Sequence, residues 1–368
     1  MHIDGHLVTP NGIQPGVLEI QEGRITHIEA KSNVKDRYIL PGFIDLHVHG
    51  GDNADAMDGA AAVARMGRFH LNHGTTTLYP TTITRPWAEI MDALKGIQHV
   101  TRHGITNGPD IPGAHLEGPF INPKRLGAQP PFAIPPTERE LNDILALDTV
   151  RLTTIAPECC SDEAILTMAQ HGIRMSIGHT CATCEQCQHM MRIARTKNGI
   201  ISGTHLFNAM PEVQGRNPGP VGALLADDTA FMELIFDTHH VHPTSFTMVR
   251  KAASDRLMLV TDAMRATGCP DGVSSLGGQD VLVQNGMARM GTDGSGNLAG
   301  SILTLDQALK NACLHGASLT EASHMLSTTP ARYMGLNDRG SLSIGMRADI
   351  VSLDEDYNLT NVWSAASL

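Results

Sequence analysis

Six side chains of metal-ligating type stand where short apolar runs end. His47 and His49 follow Phe43-Ile44-Asp45-Leu46, and Glu117 follows Gly113-Ala114-His115-Leu116. His179 follows Met175-Ser176-Ile177-Gly178, His205 follows Ile200–Thr204, and Asp262 follows Leu257-Met258-Leu259-Val260-Thr261. The strand period of two turns His47 and His49 to one face, where both imidazoles can grip a single ion. Glu117 offers two oxygens and can bridge two metals, and with His179 and His205 it makes the His2-carboxylate set of a catalytic zinc that keeps room for water. Asp262 is either a helix N-cap or the acceptor of a proton from water acidified by a metal, whose pKa falls to ~7. Singly, each histidine reads as readily as a structural side chain; the constellation is far stronger than any member. Thr238-His239-His240-Val241-His242 adds three more imidazoles, and spacing alone does not say which faces a pocket. Cys181, Cys184 and Cys187 give a competing C-x2-C-x2-C pattern of iron–sulfur type, against which stands plain burial on one face of a helix opening at Thr183.

Residues so placed need strands that converge. The apolar β-rich runs are Phe43–Leu46, Thr75–Leu78, Ile111–Leu116, Val150–Ile155, Arg174–Ile177, Ile200–Thr204, Phe231–Phe236 and Leu257–Val260. Helical stretches lie between several of them: Trp87, Ile90, Met91 and Leu94, and further on Leu305, Ala308, Leu309 and Ala312, follow the i, i+3, i+4, i+7 period. Alternation of this kind implies parallel pairing, and eight units predict an α/β fold of the (β/α)8 TIM-barrel type, whose chemistry sits at the C-terminal strand ends. A doubly wound sheet competes, but no Gly-rich dinucleotide loop follows the first run. Residues 1–40 and 335–368 carry strand-like runs instead (Gly16–Ile20, Arg24–Ile28, Ala348–Leu353, Leu359–Trp363), so the two ends are expected to pair into one small β unit beside a barrel over 41–334. Val281–Met290 reads as a hairpin turning at Asn285-Gly286.

Composition narrows the partners. The chain has 368 residues, 41% hydrophobic and 18% charged, with a net charge of −11, which suits a packed core and disfavours nucleic acid or anionic membrane. No apolar run approaches the ~18 residues of a membrane span, and the start lacks the basic and apolar regions of an export signal, so a cytoplasmic enzyme is expected. Seven cysteines, an odd number in a long chain, do not suggest a disulfide framework. The 19 histidines are the compositional feature that points to chemistry.

With these residues assembled, the chain resembles the amidohydrolase superfamily, and within it the N-acetylglucosamine-6-phosphate deacetylases. The strings that carry the resemblance are PGFIDLHVHGG, TTTLYPTTIT, HLEGPFINPKRLGAQP, SIGHT, THLFNAMP, GRNPG, HHVHP, LVTDAM and LAGS, in order from residue 41 to residue 301, with the tail GSLSIGMRADIVSLD. The resemblance implies a (β/α)8 barrel with a small β-sandwich built from both termini. It implies one divalent ion on Glu117, His179 and His205, and, because HxH is kept, a second on His47, His49, Glu117 and Asp262. Zinc is expected, although such donors also accept Fe, Co, Mn or Ni. Asp262 would be general base and then general acid. His240 would contact the sugar or polarise the acetyl carbonyl. Asn208 and the Ala209 backbone would bind a phosphate, Gln129 and Leu298 would line the substrate site, and Arg216 would reach the phosphate of the neighbouring subunit in a homodimer. Three departures stand out: Gln129 where many members have His, Asn217 after Arg216 where Glu is common, and Phe236-Asp237-Thr238 for Ala-Asp-Gly, whose larger side chains are expected to reshape the sugar pocket.

The activity so implied is hydrolysis of the N-acetyl group of an amino-sugar 6-phosphate. Three rivals are kept: the N-acetylgalactosamine 6-phosphate epimer, suggested by HHVHP and the stretch from Asp262 to Gly272; an amidohydrolase acting on a cyclic amide or a dipeptide; and a non-catalytic barrel.

Overall fold

The computed structural model describes residues 1–367. Strands β1 (His2–Thr9), β2 (Gly12–Gln21), β3 (Arg24–Ala30) and β4 (Tyr38–Pro41) open the chain with no helix between them. Next come β5 (Phe43–Val48), the two-residue strands β6 (Gly50–Gly51) and β7 (Ala54–Asp55), then β8 (Thr75–Thr82) and β9 (Ala114–Glu117). The series continues with β10 (Val150–Ile155), β11 (Arg174–Ile177), β12 (Ile201–Gly203), β13 (Phe231–Ile235) and β14 (Leu257–Val260).

Strands β5 and β8 to β14 form one eight-stranded sheet in chain order, every neighbouring pair parallel. β5, β8, β9, β13 and β14 are buried along their whole length, as strands covered on both faces must be. The covering helices are α1 (Ala60–Leu71), α2 (Trp87–His103), α3 (Glu138–Leu147), α4 (Asp162–Gln170), α5 (Cys184–Arg195), α6 (Gly219–Leu225), α7 (Pro243–Ala252) and α8 (Leu305–Leu314). Their periodic apolar faces turn inward: Leu305, Ala308, Leu309 and Ala312 are the buried residues of α8. α5 opens with a capping box in which Thr183 and Gln186 satisfy each other's backbone donors.

The first and last strands meet at a seam. Val48 and Ala263 form a parallel bridge, and the Asp262 amide donates to the His47 carbonyl at 2.8 Å. The Asp45 carboxylate, fully buried, accepts from the Thr261 hydroxyl at 2.6 Å and from the Thr261 and His47 amides at 3.3 Å. One side chain thus ties the strand bearing His47 and His49 to the strand bearing Asp262.

Two smaller sheets flank the barrel. β15 (Gly272–Leu276), β16 (Gln279–Gln284) and β17 (Met287–Met290) form an antiparallel sheet whose second turn is Asn285-Gly286, both at positive φ as a type I′ turn requires. The termini build a six-stranded sheet, in which β18 (Ile350–Leu353) and β19 (Leu359–Trp363) pair next to β4. β3, at the other edge, bonds to the segment leading into β18 through Ile25 and Met346, so the sheet curls around its own core of Ile3, Leu7, Leu18, Ile20, Ile25, Ile39, Leu342, Ala348 and Ile350.

Candidate active site

All six strand-end ligands meet at the C-terminal mouth of the barrel, where His49, Glu117, His179, His205 and Asp262 line a cavity of about 440 Å³ and His47 lies buried behind them. Two groups have their donor atoms within 4.8 Å of one another: His47, His49 and Asp262, and Glu117, His179 and His205. Glu117 lies between them. Its Oε1 is 3.2 Å from Nε2 of both His179 and His205 and 3.3 Å from His47 Nε2, while its Oε2 is 3.0 Å from His49 Nε2. Asp262 Oδ1 lies 3.2 Å from His49 Nε2 and 3.5 Å from His47 Nε2. Asp262 is no helix N-cap, because the chain runs from β14 into β15 without a helix.

The tautomers follow from what the other ring nitrogens touch. His49 Nδ1 faces the Thr81 carbonyl at 3.2 Å and His179 Nδ1 faces the Arg125 carbonyl at 2.9 Å. A carbonyl only accepts, so both Nδ1 atoms carry a proton, which leaves both Nε2 atoms as the ones that can present a lone pair to a cation. His47 Nδ1 likewise donates to Glu233 Oε2 at 3.2 Å, and its Nε2 has no hydrogen-bond partner. The Nε2 atoms therefore face carboxylate oxygens, and His179 Nε2 and His205 Nε2 point at each other at 3.1 Å. Such an arrangement is repulsive unless positive charge sits among the donors. Among the described residues the only ion-pair partners of Glu117, Asp262 and Glu233 are imidazoles, and an ionised buried carboxylate costs several kcal/mol (about that much per ion) unless compensated. The donor set fits divalent cations: neutral imidazoles with Nδ1–H anchored behind them, and carboxylates in front.

The same imbalance drives the protonation equilibria. Burial works against charge on His47, yet the Glu117 and Asp262 carboxylates raise it well above its usual range. His49 is lifted to about 9, burial being outweighed by its bonds to Asp262 and Glu117. Burial would raise Glu117 and Asp262, but the facing imidazoles hold both carboxyls below their ordinary values.

Backbone strain is concentrated here. His179, His205, Ala209 and Asp262 have φ of 47°, 28°, 51° and 49°, a region non-glycine residues seldom adopt. Fixed partners hold three of them: the Asn122 amide donates to the His179 carbonyl, Thr180 to Ala209, and Ser301 to Asp262. Gly300 completes this wall, since a Cβ there would sit 3.0 Å from the Asp262 carbonyl oxygen.

The remaining expected residues divide. Asn208, Ala209, His240, Gln129 and Leu298 all line the cavity. Asn208 Nδ2 donates to the His205 carbonyl at 3.1 Å. Arg216 does not line it; it is exposed in the 212–217 loop, where Gln214 and Asn217 bridge. Gln129 is engaged at both ends, Nε2 donating to Glu117 Oε2 at 2.7 Å and Oε1 accepting from the Thr84 amide at 2.7 Å. It holds a carboxylate as well as facing the cavity.

Of the three clustered histidines, only His240 lines the cavity. His239 is exposed, and the exposed His242 caps α7 by accepting from the Thr244 amide. His240 Nδ1 donates to Asp237 Oδ2 at 2.6 Å, and Asp237 Oδ1 accepts from the His239 and His240 amides at 2.8 Å. Burial would raise the Asp237 carboxyl, but its bond to His240 keeps it below its usual value. Phe236 corrects an expectation: it is fully buried and stacks on Phe246 with centroids 4.0 Å apart, so its bulk lies outside the cavity. The cysteine pattern yields no cluster. Cys181 is exposed, Cys184 half-buried and Cys187 buried on α5, and no ligand group among the described residues contains a thiol.

Sequence reading missed Glu233, Asp237 and Asp45, each a buried or half-buried acid behind a functional side chain, and the cavity-lining Lys124 and Arg125. The only signals were an acid inside FMELI, one before the histidine cluster, and two adjacent cations in NPKRLG.

Comparison with known proteins agrees with this geometry. An N-acetylgalactosamine-6-phosphate deacetylase of Escherichia coli O157:H7 is 37% identical over 95% of this chain and 94% of its own length. An N-acetylglucosamine-6-phosphate deacetylase of Vibrio furnissii is 36% identical over 88% of this chain and 81% of its own length. Among solved structures, a mutant N-acetyl-D-glucosamine-6-phosphate deacetylase of Mycobacterium smegmatis in complex with N-acetyl-D-glucosamine-6-phosphate superposes with a TM-score of 0.91 at 34% identity, covering 100% of this chain and 98% of the other. The sequence pattern of the amidohydrolase family matches residues 38–367, and the chain belongs to that family.

Proposed function

We propose that the chain hydrolyses the N-acetyl group of an amino-sugar 6-phosphate, converting N-acetyl-D-glucosamine 6-phosphate and water to D-glucosamine 6-phosphate and acetate. The observation that carries this reading is the pair of ligand groups joined by Glu117 beneath a cavity walled by Asn208, Ala209 and His240. Glu117, His179 and His205 would hold one divalent ion and His47, His49, Asp262 and the shared Glu117 the other, zinc being our assignment among the ions such donors accept. When bound, the metal supplies Lewis acidity, lowering the pKa of water and polarising the acetyl carbonyl.

The protein's own groups do the rest. Asp262, held ionised, takes a proton from the attacking water and returns it to the departing nitrogen, since an amide anion cannot leave. His240, with Nδ1–H anchored on the Asp237 carboxylate, stabilises developing negative charge on the acetyl oxygen through a second proton on Nε2, which the carboxylate behind the ring favours. Asn208 and the Ala209 backbone N–H bind the phosphate, with Lys124 and Arg125 supplying positive charge on the same cavity. Binding the phosphate away from the reacting carbon fixes where that carbon lies. Arg216, exposed and off its own chain's cavity, fits a homodimer in which it reaches the phosphate in the neighbouring site. The seven free cysteines suit a reducing cytoplasm. We assign residues 1–40 and 335–368 to one unit and 41–334 to the catalytic barrel, a division supported by the separate apolar core of the terminal sheet.

The galactosamine epimer is the second reading, favoured by the 37% identity to an N-acetylgalactosamine-6-phosphate deacetylase. Acetate release measured in parallel on both epimers and on their unphosphorylated forms tests the assignment. Turnover of at least one phosphorylated epimer with large loss on removing the phosphate is expected. Equal turnover without phosphate contradicts it.

A further inference from the structure

Four imidazoles face the two ligand groups, and they are not backed alike. His49 and His179 donate Nδ1–H to backbone carbonyls, and His205 Nδ1 meets no partner among the described residues. His47 alone donates to a carboxylate, Glu233 Oε2, at 3.2 Å. Glu233 lies on β13 inside the barrel at 0% exposure, its only ion-pair partner among the described residues is His47, and its Oε1 meets no protein donor. A structural role would be met by Gln or by an apolar side chain, without the several kcal/mol (roughly that per ion) that burying a carboxylate costs. The charge makes sense if it acts through His47 on a cation at the other side of the ring. A carboxylate behind an imidazole fixes the Nδ1–H tautomer and makes Nε2 a stronger donor.

We infer that Glu233 is a positioning residue that selectively strengthens cation binding by the His47, His49 and Asp262 group through His47, leaving the Glu117, His179 and His205 group independent of it. This rests on reading the site as a metal centre. The main chain separates the two roles: the Glu233 carbonyl accepts from the Leu206 amide at 2.8 Å, a contact beside His205 that side-chain substitution leaves in place.

The test uses the full chain loaded with Zn2+ or Co2+, dialysed against graded chelator, with bound metal per chain measured by elemental analysis and folding checked by thermal melting. In Glu233→Leu one ion should be released at roughly 10- to 100-fold lower chelator concentration than in the wild type, and the other at the wild-type concentration. Glu233→Gln, which can still accept from Nδ1–H but lacks the charge, should fall between, and it carries the test if Glu233→Leu does not fold. In a His49→Ala background loaded to one ion per chain, held by the Glu117, His179 and His205 group, Glu233→Leu should change nothing. Release of both ions in parallel, or no change in release, overturns the inference. Wild-type protein that binds no divalent ion overturns the metal-centre reading together with it.

Discussion

Asp237 offers a test of how His240 works. Its Oδ1 accepts from the His239 and His240 amides at 2.8 Å, and its Oδ2 accepts from His240 Nδ1 at 2.6 Å. In Asp237→Asn the amide oxygen must stay with the two backbone donors. The NH2 group then faces Nδ1, which has to give up its proton, so the ring keeps Nε2–H but loses the positive charge that the Asp237 carboxylate supports. The lost interaction is a charge-assisted hydrogen bond, about 1.5–3 kcal/mol. At about 1.4 kcal/mol per tenfold, its full expression in the transition state lowers kcat roughly 10- to 150-fold. His240→Ala, which removes an oxyanion-stabilising donor, should cost about 10²–10³ in kcat. The double variant should be no slower than His240→Ala, because Asp237 acts only through that ring. The assay is acetate release at saturating substrate on protein whose bound metal has been measured. Unchanged kcat in Asp237→Asn, or losses that multiply in the double variant, would refute the reasoning.

Other expectations follow from the same geometry. Asp262→Asn should retain the ion on Glu117, His179 and His205 while turnover falls by about 10²–10⁴, the usual share of a general acid–base; an active variant removes Asp262 from proton transfer. Arg216→Ala should raise KM for the phosphorylated substrate with little change in kcat, and coexpression with Asp262→Asn chains should restore activity at low substrate by regenerating one complete site per dimer. Loss of kcat at unchanged KM would contradict a phosphate role. Away from the site, Asp227 Oδ1 accepts from Arg195 Nη2 at 2.7 Å and from the Ala230 amide at 2.8 Å. Burial raises its carboxyl, but these bonds outweigh it and bring it to about 2 from 3.8. A folded-state pKa below the unfolded one stabilises above about 4 and loses that contribution as pH falls toward about 2. Asp227→Asn should therefore lower Tm near neutral pH, and the gap to wild type should close across that acid window.

The ligands were legible because a barrel puts strand ends at one mouth, so residue type and position in the strand together imply convergence. All eight barrel strands, the Asn285-Gly286 turn and the α5 start at Thr183 follow from local periodicity and turn or cap chemistry. What lies behind the ligands does not. Glu233 meets a histidine 186 residues away, and within FMELI nothing local separates it from a solvated strand residue. Gln129 faces the cavity, and only the fold shows that the oxygen and nitrogen of its amide are both engaged, because Thr84 and Glu117 arrive from separate parts of the chain. Phe236 looked like a pocket residue, and its direction was decided by Phe246 on α7. The positive φ at His179, His205 and Asp262 runs against local preference, and tertiary hydrogen bonds impose it.

The most direct test of the account is a time course of acetate and free amine released from N-acetyl-D-glucosamine 6-phosphate and its galacto epimer, on one preparation whose metal content is varied by chelation and readdition. The account predicts equimolar acetate and amine from at least one epimer, at an initial rate that falls with bound metal and returns when the ion is restored. Fully loaded, folded protein that releases no acetate from either epimer would contradict it.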